Sequence, residues 1–486
     1  MKLRFFILLI IAGVFTSCED YLDINKDPNN PTVVPISGLM SVTSMRTATN
    51  TANMGGMTSY FVQYLAGPNA GGNTDTHQEI NPNGTWVAIY NVMSNLSDME
   101  LMAVEQGAPN YVGVAKIMKA INLALLVDSW NDVPYTDAFF VQTMKPTYDN
   151  GQALYAEVFK LLSDGITELG KTETTLNMGT DDFMFQGNLS RWIKTAYALR
   201  ARYLNHLSKT ASYDPDAILA AIGNGLAGNA DNAKVVYFDV AGARNPWGVV
   251  SMNQAGLVLD GWISKQIIEA MDGTSFGVVD PRMGFMFSKN NNPLHPKYGM
   301  FVGTTNGAGR DVDVSDLRLD ASTLVENITT TTNPTFYAHR LSPVMVMTYA
   351  EQKFIEAEAR LAKNQNPEAY AAYLAGITAH MDMLGVATAD RDAYISDPIV
   401  SVGDANITID LIMKEKYVAL FLSPETWNDA RRYDFQYTDM TVPDQLNTAL
   451  GGQFSRRLQY PSSEFTTNAA NVPTVNLLNR IWWDQN

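Results

Sequence analysis

One thiol and a scattered set of loop aromatics and amides are the groups of this sequence with distinctive chemistry to offer. The thiol is Cys18, the only cysteine in 486 residues. It stands behind Lys2 and Arg4, an apolar run from Phe5 to Val14, and Phe15-Thr16-Ser17, which leads through small residues into the cysteine. The run is too short for an ordinary membrane-spanning helix and has the order of an export leader. A thiol at the end of such a leader is placed for acylation. With no second cysteine there is no disulfide, no cysteine-ligated zinc and, once Cys18 is capped, no thiol nucleophile. The aromatics and amides lie in three segments, Gly67 to Thr85, Asn245 to Asn253 and Tyr298 to Asp311. Trp247 and Tyr298 offer flat faces outside any helical stripe, with Asn245-Pro246 holding the tryptophan in a break. Asn69, Asn73, His77, Asn253, Arg310 and Asp311 supply directional polar groups nearby. A flat ring can cover apolar C–H bonds while amides and charged groups bond hydroxyls in fixed directions. Any one of these residues also reads as an ordinary turn residue. Trp86, one helical turn before Tyr90, fits a core stripe but adjoins the first of these loops.

Other chemistries are harder to build. The five histidines, at 77, 206, 295, 339 and 380, form no His-Glu-x-x-His or other short ligand spacing, so no metal site is expected. There is no Gly-x-Ser-x-Gly elbow. A carboxylate pair for glycoside hydrolysis stays open at this level, because such pairs meet only in three dimensions. With 50 acidic residues, chance pairs are certain and carry little weight. A formal charge of −16, which becomes two units more negative when Lys2 and Arg4 leave with the leader, argues against nucleic acid as a partner.

The elements that must position these groups are helices. Hydrophobic residues make up 46% and charged residues 17%, which suffices for a large core. Val114, Met118, Ile121 and Leu125 recur at spacings of three and four. So do Leu154, Val158, Leu162, Ile166 and Leu169, and Trp192, Ala196, Leu199, Tyr203 and Leu207. Each set puts one apolar stripe on one helix face. Met347, Ala350, Phe354, Ala357 and Leu361 predict a further helix, and Ile409, Met413, Tyr417 and Leu420 another. Between the two helical halves, about 228–342 is rich in Gly, Asn, Pro and Thr, interrupted by one predicted helix around Leu257 to Met271. A loop region this long in a compact chain is commonly functional. The expected organisation is therefore a leader over 1–17, a lipidated N-terminus and tether over 18–35, and a single helical domain over 36–486 with a loop-rich insert. The fold class is mainly α; helix pairs of similar size in both halves suggest tetratricopeptide-like units, but no clean repeat of about 34 residues is visible, and an irregular helical domain is the alternative. The seventeen tether residues after Cys18 reach at most ~55–60 Å at ~3.3–3.6 Å each.

Several motifs carry a resemblance. Thr16-Ser17-Cys18 resembles a bacterial lipobox, in which the cysteine is diacylated and the chain is cut just before it. Asp128-Ser-Trp-Asn-Asp-Val-Pro-Tyr-Thr-Asp-Ala138 must end a helix and turn. Asn131 tolerates positive φ after a helix, and Pro134 forbids continuation and extends Val133. Trp130 and Tyr135 can then cap the core. This segment resembles the D-x-W/Y-G-D-I/V-P-Y-x-x-A pattern of the SusD/RagB outer-membrane lipoproteins of Bacteroides-type bacteria, with Asn131 in place of glycine. Tyr21-Leu22-Asp23-Ile24-Asn25, Pro146-x-Tyr148-Asp149, Gly187-Asn188 with Trp192-x-Lys194, Asp280-Pro281-Arg282 and Glu356-Ala357-Glu358-Ala359 resemble further family segments in order. So does the closing set of Trp427, Arg431-Arg432, Arg456-Arg457, Tyr460-Pro461 and Glu464. The family's T-Q-K is replaced by Lys414-Glu415-Lys416. The arginines are expected to be held by carboxylates such as Glu464 and Asp434.

The resemblance implies a helical, tetratricopeptide-like scaffold with ligand-binding loops on one side, and a nutrient-binding role without catalysis or cofactor. It implies an oligosaccharide as ligand, with a peptide or another nutrient as the alternative. The implied partner is a SusC-like TonB-dependent β-barrel in the outer membrane, reached through the N-terminal lipid. Glu19 and Asp20 resemble the acidic signal that sends such lipoproteins to the cell exterior. A surface glycoside hydrolase, or a scaffold that binds only protein, are the competing readings.

Overall fold

The apolar stripes become helices whose starts are written in the sequence. The computed structural model describes residues 34–140, 143–253, 261–290, 293, 296–310, 335–437 and 440–485. In the N-terminal half it contains α1 (Ile36–Phe61), α2 (Asn83–Glu105), α3 (Pro109–Trp130), α4 (Gly151–Leu169), α5 (Leu189–His206) and α6 (Pro215–Ile222). Asn150 caps α4, Asn188 caps α5 and Asp214 caps α6, each side chain accepting a first-turn N–H. Pro109 opens α3, where its missing N–H costs nothing.

Helix α3 is the centre of this half. It is buried on every side from Asn110 to Trp130 apart from Lys116, beyond the single stripe read from Val114, Met118, Ile121 and Leu125. It packs on α2 and on α4. The second contact is close enough that a Cβ on Gly113 would lie 2.8 Å from the Gly165 carbonyl, and one on Gly165 3.0 Å from that of Gly113. Glycine is required at both for the helices to meet. Lys119 and Lys116 emerge to share Glu100 of α2 at 2.6 and 2.7 Å. On the other side, Asn50 of α1 donates to Asn122, which donates in turn to Thr47. Much of the Ser/Thr-rich face of α1 thus satisfies its polar groups inside the core, the Ser59 hydroxyl excepted among the described residues.

The motif at Asp128 to Ala138 does what its residues demand. Asn131 ends α3 at φ 69° and ψ −82°, and its side-chain oxygen accepts from the Trp482 N–H at 2.7 Å. Val133 then pairs with Asp149. Trp130 is fully buried and donates to the Gln459 carbonyl, whereas Tyr135 is half-buried over Phe139.

The middle of the chain holds α7 (Pro246–Asn253), α8 (Lys265–Glu269) and α9 (Met283–Met286), with two small antiparallel ladders. Strand β1 (Leu65–Ala66) pairs with β3 (Trp262–Ile263), and β2 (Ala233–Val235) with β4 (Val344–Met347). Two sequence expectations change here. The helix expected around Leu257 to Met271 is, over the described residues, strand β3 followed by the short α8, because Ser264 caps a new start by accepting from Gln266. Residues 254–260 lie outside the described residues. Met347, expected to begin a helical stripe, ends β4. Thr348 takes extended backbone and caps α10 (Tyr349–Ala362) through the Glu351 N–H. Val344 and Val346 favour the strand before it.

The C-terminal half continues with α11 (Asn366–Leu384), α12 (Thr388–Ser396), α13 (Ile409–Ala419), α14 (Glu425–Arg432) and α15 (Ser462–Thr467). Three buried charge clusters bind these helices to the rest. Arg202 of α5 grips Glu351 of α10 with two bonds of 2.6 Å. Beside it, His206 lies 2.9 Å from Glu425, and Tyr155 donates to Asp128 at 2.7 Å. Glu358 of α10 meets Lys416 of α13 at 2.8 Å and Arg432 of α14, and both cations share Asp429. Arg282 meets Asp280 and Glu415, and Lys414 lies 2.6 Å from Glu415. The arginine expectation holds in part. Arg456 pairs with Asp434 at 2.6 Å and with Asp484, while Glu464 instead accepts from Tyr148. Arg431 and Arg457 donate largely to backbone carbonyls, of Trp427 and Arg456 for the first and Trp130 for the second.

Candidate functional site

The candidate site is assembled where α1 gives way to β1. Gln63, at φ 57°, turns the chain out of the helix, and β1 aligns Leu65 with Ile263 and Ala66 with Trp262. The chain after Phe301 runs alongside β3. The Thr304 N–H donates to Ile263 and its carbonyl accepts from Lys265, both at 2.8 Å. Asn306 fixes this corner by donating to the Leu65 carbonyl and accepting from Ser264. Beyond it, Gly71 donates to Gly307 at 2.9 Å and Arg310 donates to Pro68 at 3.0 Å. Segments far apart in sequence, around 67–77 and 303–310, therefore share one edge.

Against that edge lies a groove of about 430 Å³. It is lined by Lys265, Glu269 and Asp272 together with Met300, Phe301 and Thr304, the last bonded through its backbone to Lys265. A recess of about 130 Å³ continues it past Lys265, Glu269 and Thr305 toward Gln63, Asn306 and Asp444. Lys265 pairs with Glu269 at 3.3 Å, and Asp272 accepts from the Thr274 N–H at 2.8 Å. The Thr304 hydroxyl is buried with no hydrogen-bond partner among the described residues. A cavity with apolar surface, charged groups and an unused hydroxyl suits a ligand rich in hydroxyl groups.

The residues singled out in the sequence separate into two groups. Asn69 and Asn73 are exposed on the first loop, Arg310 lies over Trp262 at 6.0 Å, and Tyr298 is 59% exposed beside the groove rim. None of these four lines the groove or its recess, although Asn69 and Arg310 lie on the two loops bonded beside it. His77 does not present itself to solvent. It is fully buried between Phe61 and Phe454, it accepts from the Ser455 N–H at 3.2 Å, and burial pushes its pKa down to about 3. Trp86 is a core residue packed edge-on against Trp130. Trp247 lies in the first turn of α7 rather than in a break, 9% exposed and packed on Gly56 of α1. The cavity beside it, about 50 Å³, has room for roughly one or two waters. Trp247→Ala is therefore expected to lower the melting temperature while leaving ligand affinity of the folded protein unchanged, checked by calorimetry and titration on one preparation. Asn253 ends α7, Asp311 lies outside the described residues, and so does Cys18.

Sequence reasoning missed Lys265, Glu269, Asp272 and Phe301. Lys265 and Glu269 sit within the run expected as one helix, and Asp272 just past its end, so their pairing with the 303–310 edge left no local signal. Phe301 adjoins Tyr298 in a segment already marked as a loop, and that was the available cue.

The sequence from residue 28 to 461 matches the SusD-like family described as starch-binding and associating with the outer membrane. The chain belongs to the SusD-like family. No curated protein matches it. A SusD/RagB family protein from Bacteroides thetaiotaomicron is 21% identical, with a TM-score of 0.73, covering 93% of this chain and 99% of its own. A SusD homolog from Bacteroides uniformis is 20% identical with a TM-score of 0.74, and a chitin-binding SusD homolog from Flavobacterium johnsoniae is 21% identical with 0.73. Each covers 93% of this chain and 99% of its own. At these identities the likeness establishes the SusD-like fold: helical, as the apolar spacing predicted, and with tetratricopeptide-like repeats, as the resemblance implied. No helix among the described residues is long and apolar enough to cross a membrane.

Proposed function

We propose that the protein is a lipid-anchored, outward-facing outer-membrane lipoprotein that binds an oligosaccharide in the groove between α8 and the 300–309 segment. It then passes the sugar to a SusC-like TonB-dependent β-barrel. The observation that carries this reading is the groove itself. On a SusD-like scaffold, Phe301 and Met300 supply apolar surface, and Lys265, Glu269 and Asp272 supply charged groups for a ligand's hydroxyls. Family membership supports a glycan ligand, and the chitin-binding homolog adds β-linked amino sugars to starch as a candidate class. Glu269 and Asp272 are engaged with Lys265 and the Thr274 N–H, which favours binding over hydrolysis. The family's binding proteins point the same way.

A glycan array spanning maltooligosaccharides, chitooligosaccharides and control peptides tests the proposal on the full chain. Binding to a sugar series, with the oligosaccharide recovered at its original length, is the expected result. Phe301→Ala should then weaken binding about ten- to a hundredfold, the cost of removing an aromatic anchor from a desolvated contact. Peptide binding alone, or a shortened sugar, would replace the proposal with one of the competing readings.

A further inference from the structure

Below the paired loops lies a carboxylate that packing alone does not explain. Asp75 is completely buried. Its Oδ2 accepts the Gly67 N–H at 2.6 Å and the Gly307 N–H at 2.9 Å, one donor from each loop. Its Oδ1 has no partner among the described residues. Burial raises the pKa of this acid, while the Gly307 and Gly67 amides pull it back, and no cation contributes. A buried carboxylate with two donors and no counter-charge is an expensive choice for a core position.

The chain around it is shaped to this group. A Cβ on Gly67 would lie 2.7 Å from Oδ1. Gly307 adopts φ 79° and has Asp444 backbone against it, so it too must remain glycine. Thr304, Thr305 and Gly309 line the groove, and Asn69 stands on the opposite loop. A shift of the 303–310 segment, which the Gly67 loop is bonded to at Gly307 and Arg310, moves the groove wall.

We propose that Asp75 is a positioning residue for ligand binding: its carboxylate ties the loop at Gly67 to the loop at Gly307 and so sets the shape of the groove. The inference rests on the reading of that groove as the ligand site. The ionised oxygen makes two charge-assisted bonds at once, which a neutral amide makes more weakly.

Asp75→Ala and Asp75→Asn in the full chain test this by amide hydrogen exchange and by titration with maltoheptaose and chitohexaose. In Asp75→Ala, exchange at Gly67, Gly307 and their loop neighbours should rise about tenfold while α3 and α13 keep their protection. Affinity for a sugar that the wild type binds should fall about tenfold, with Asp75→Asn between. A fall in affinity without a matching fall in melting temperature marks positioning rather than general stability. Unchanged exchange at both glycines in both variants overturns the proposal. So does looser exchange with undiminished affinity for a bound sugar. If neither sugar binds the wild type, the ligand reading fails, and the exchange rates still decide whether Asp75 joins the loops.

Discussion

Glu358→Ala is expected to destabilise the protein by about 3–5 kcal/mol, the usual cost of removing one partner from a buried ion cluster. Arg432 and Lys416 are both buried and both meet Glu358, and the Tyr433 hydroxyl donates to it at 2.8 Å. Without it, two cations must share Asp429. The loss should show strongly as faster unfolding and only modestly as a lower melting temperature. Unfolding entropy of ~2.1 cal/mol/K per residue spreads such a cost over a long chain as roughly 3–5 °C. Glu358→Ala combined with Arg432→Leu should recover part of the loss, because the worse stranded charge goes with its partner. An unfolding rate equal to wild type in Glu358→Ala would refute the account.

The same cluster sets the acid limit. Burial alone would raise the Glu358 carboxyl, but Arg432 and Lys416 outweigh it and hold it at about 2, below its ordinary 4.5. Glu415 is likewise held at about 2 against burial by Lys414 and Arg282. Between these values the unfolded chain binds protons that the folded chain refuses. The stability these two groups add is therefore complete above about pH 4.5 and lost as pH falls toward 2. Asp429 and Glu351, raised by burial, act in the opposite direction. Glu358→Ala should accordingly lose less stability than wild type between pH 5 and 3, measured by urea midpoints across that range.

These clusters show why some of the molecule was legible in sequence and some was not. Asn131 and Pro134 act within one turn, so the end of α3 could be read from neighbours. Lys414-Glu415-Lys416 could not. At 3.6 residues per turn, positions two apart face nearly opposite sides of a helix. Lys414 therefore joins Glu415 near Arg282, and Lys416 joins Glu358 and Asp429, partners far away in sequence. The same distance explains the site. Asn69, Asn73 and Arg310 were picked out by local turn chemistry and do gather at one edge. Trp247 was picked out by the same logic but packs on α1. Whether a loop aromatic faces solvent is decided by what folds over it, and a single strand pairing, Leu65 with Ile263, brought α8 to the groove instead.

Cys18→Ala is expected to abolish fatty-acid labelling and to release the protein from the membrane fraction. The reasoning is one of affinities. A single myristoyl chain binds a bilayer with only ~10⁴ M⁻¹, so stable anchoring needs several chains or a second signal. The described residues contain no membrane-crossing helix, and a body more acidic than −16 after loss of the leader gains nothing from an anionic lipid surface. On the proposed reading the lipid on Cys18 supplies the attachment, so release from the membrane fraction should be nearly complete rather than partial. Transporter engagement should fail with it. Mild detergent extraction of the wild type should recover a large β-barrel with the lipoprotein, because a tether reaching at most ~55–60 Å keeps the two at high effective concentration. The Cys18→Ala protein, free to diffuse, should lose that companion. Labelling that persists in the variant would place the lipid elsewhere. Labelling lost with full membrane retention would show that the barrel contact alone holds the protein at the surface.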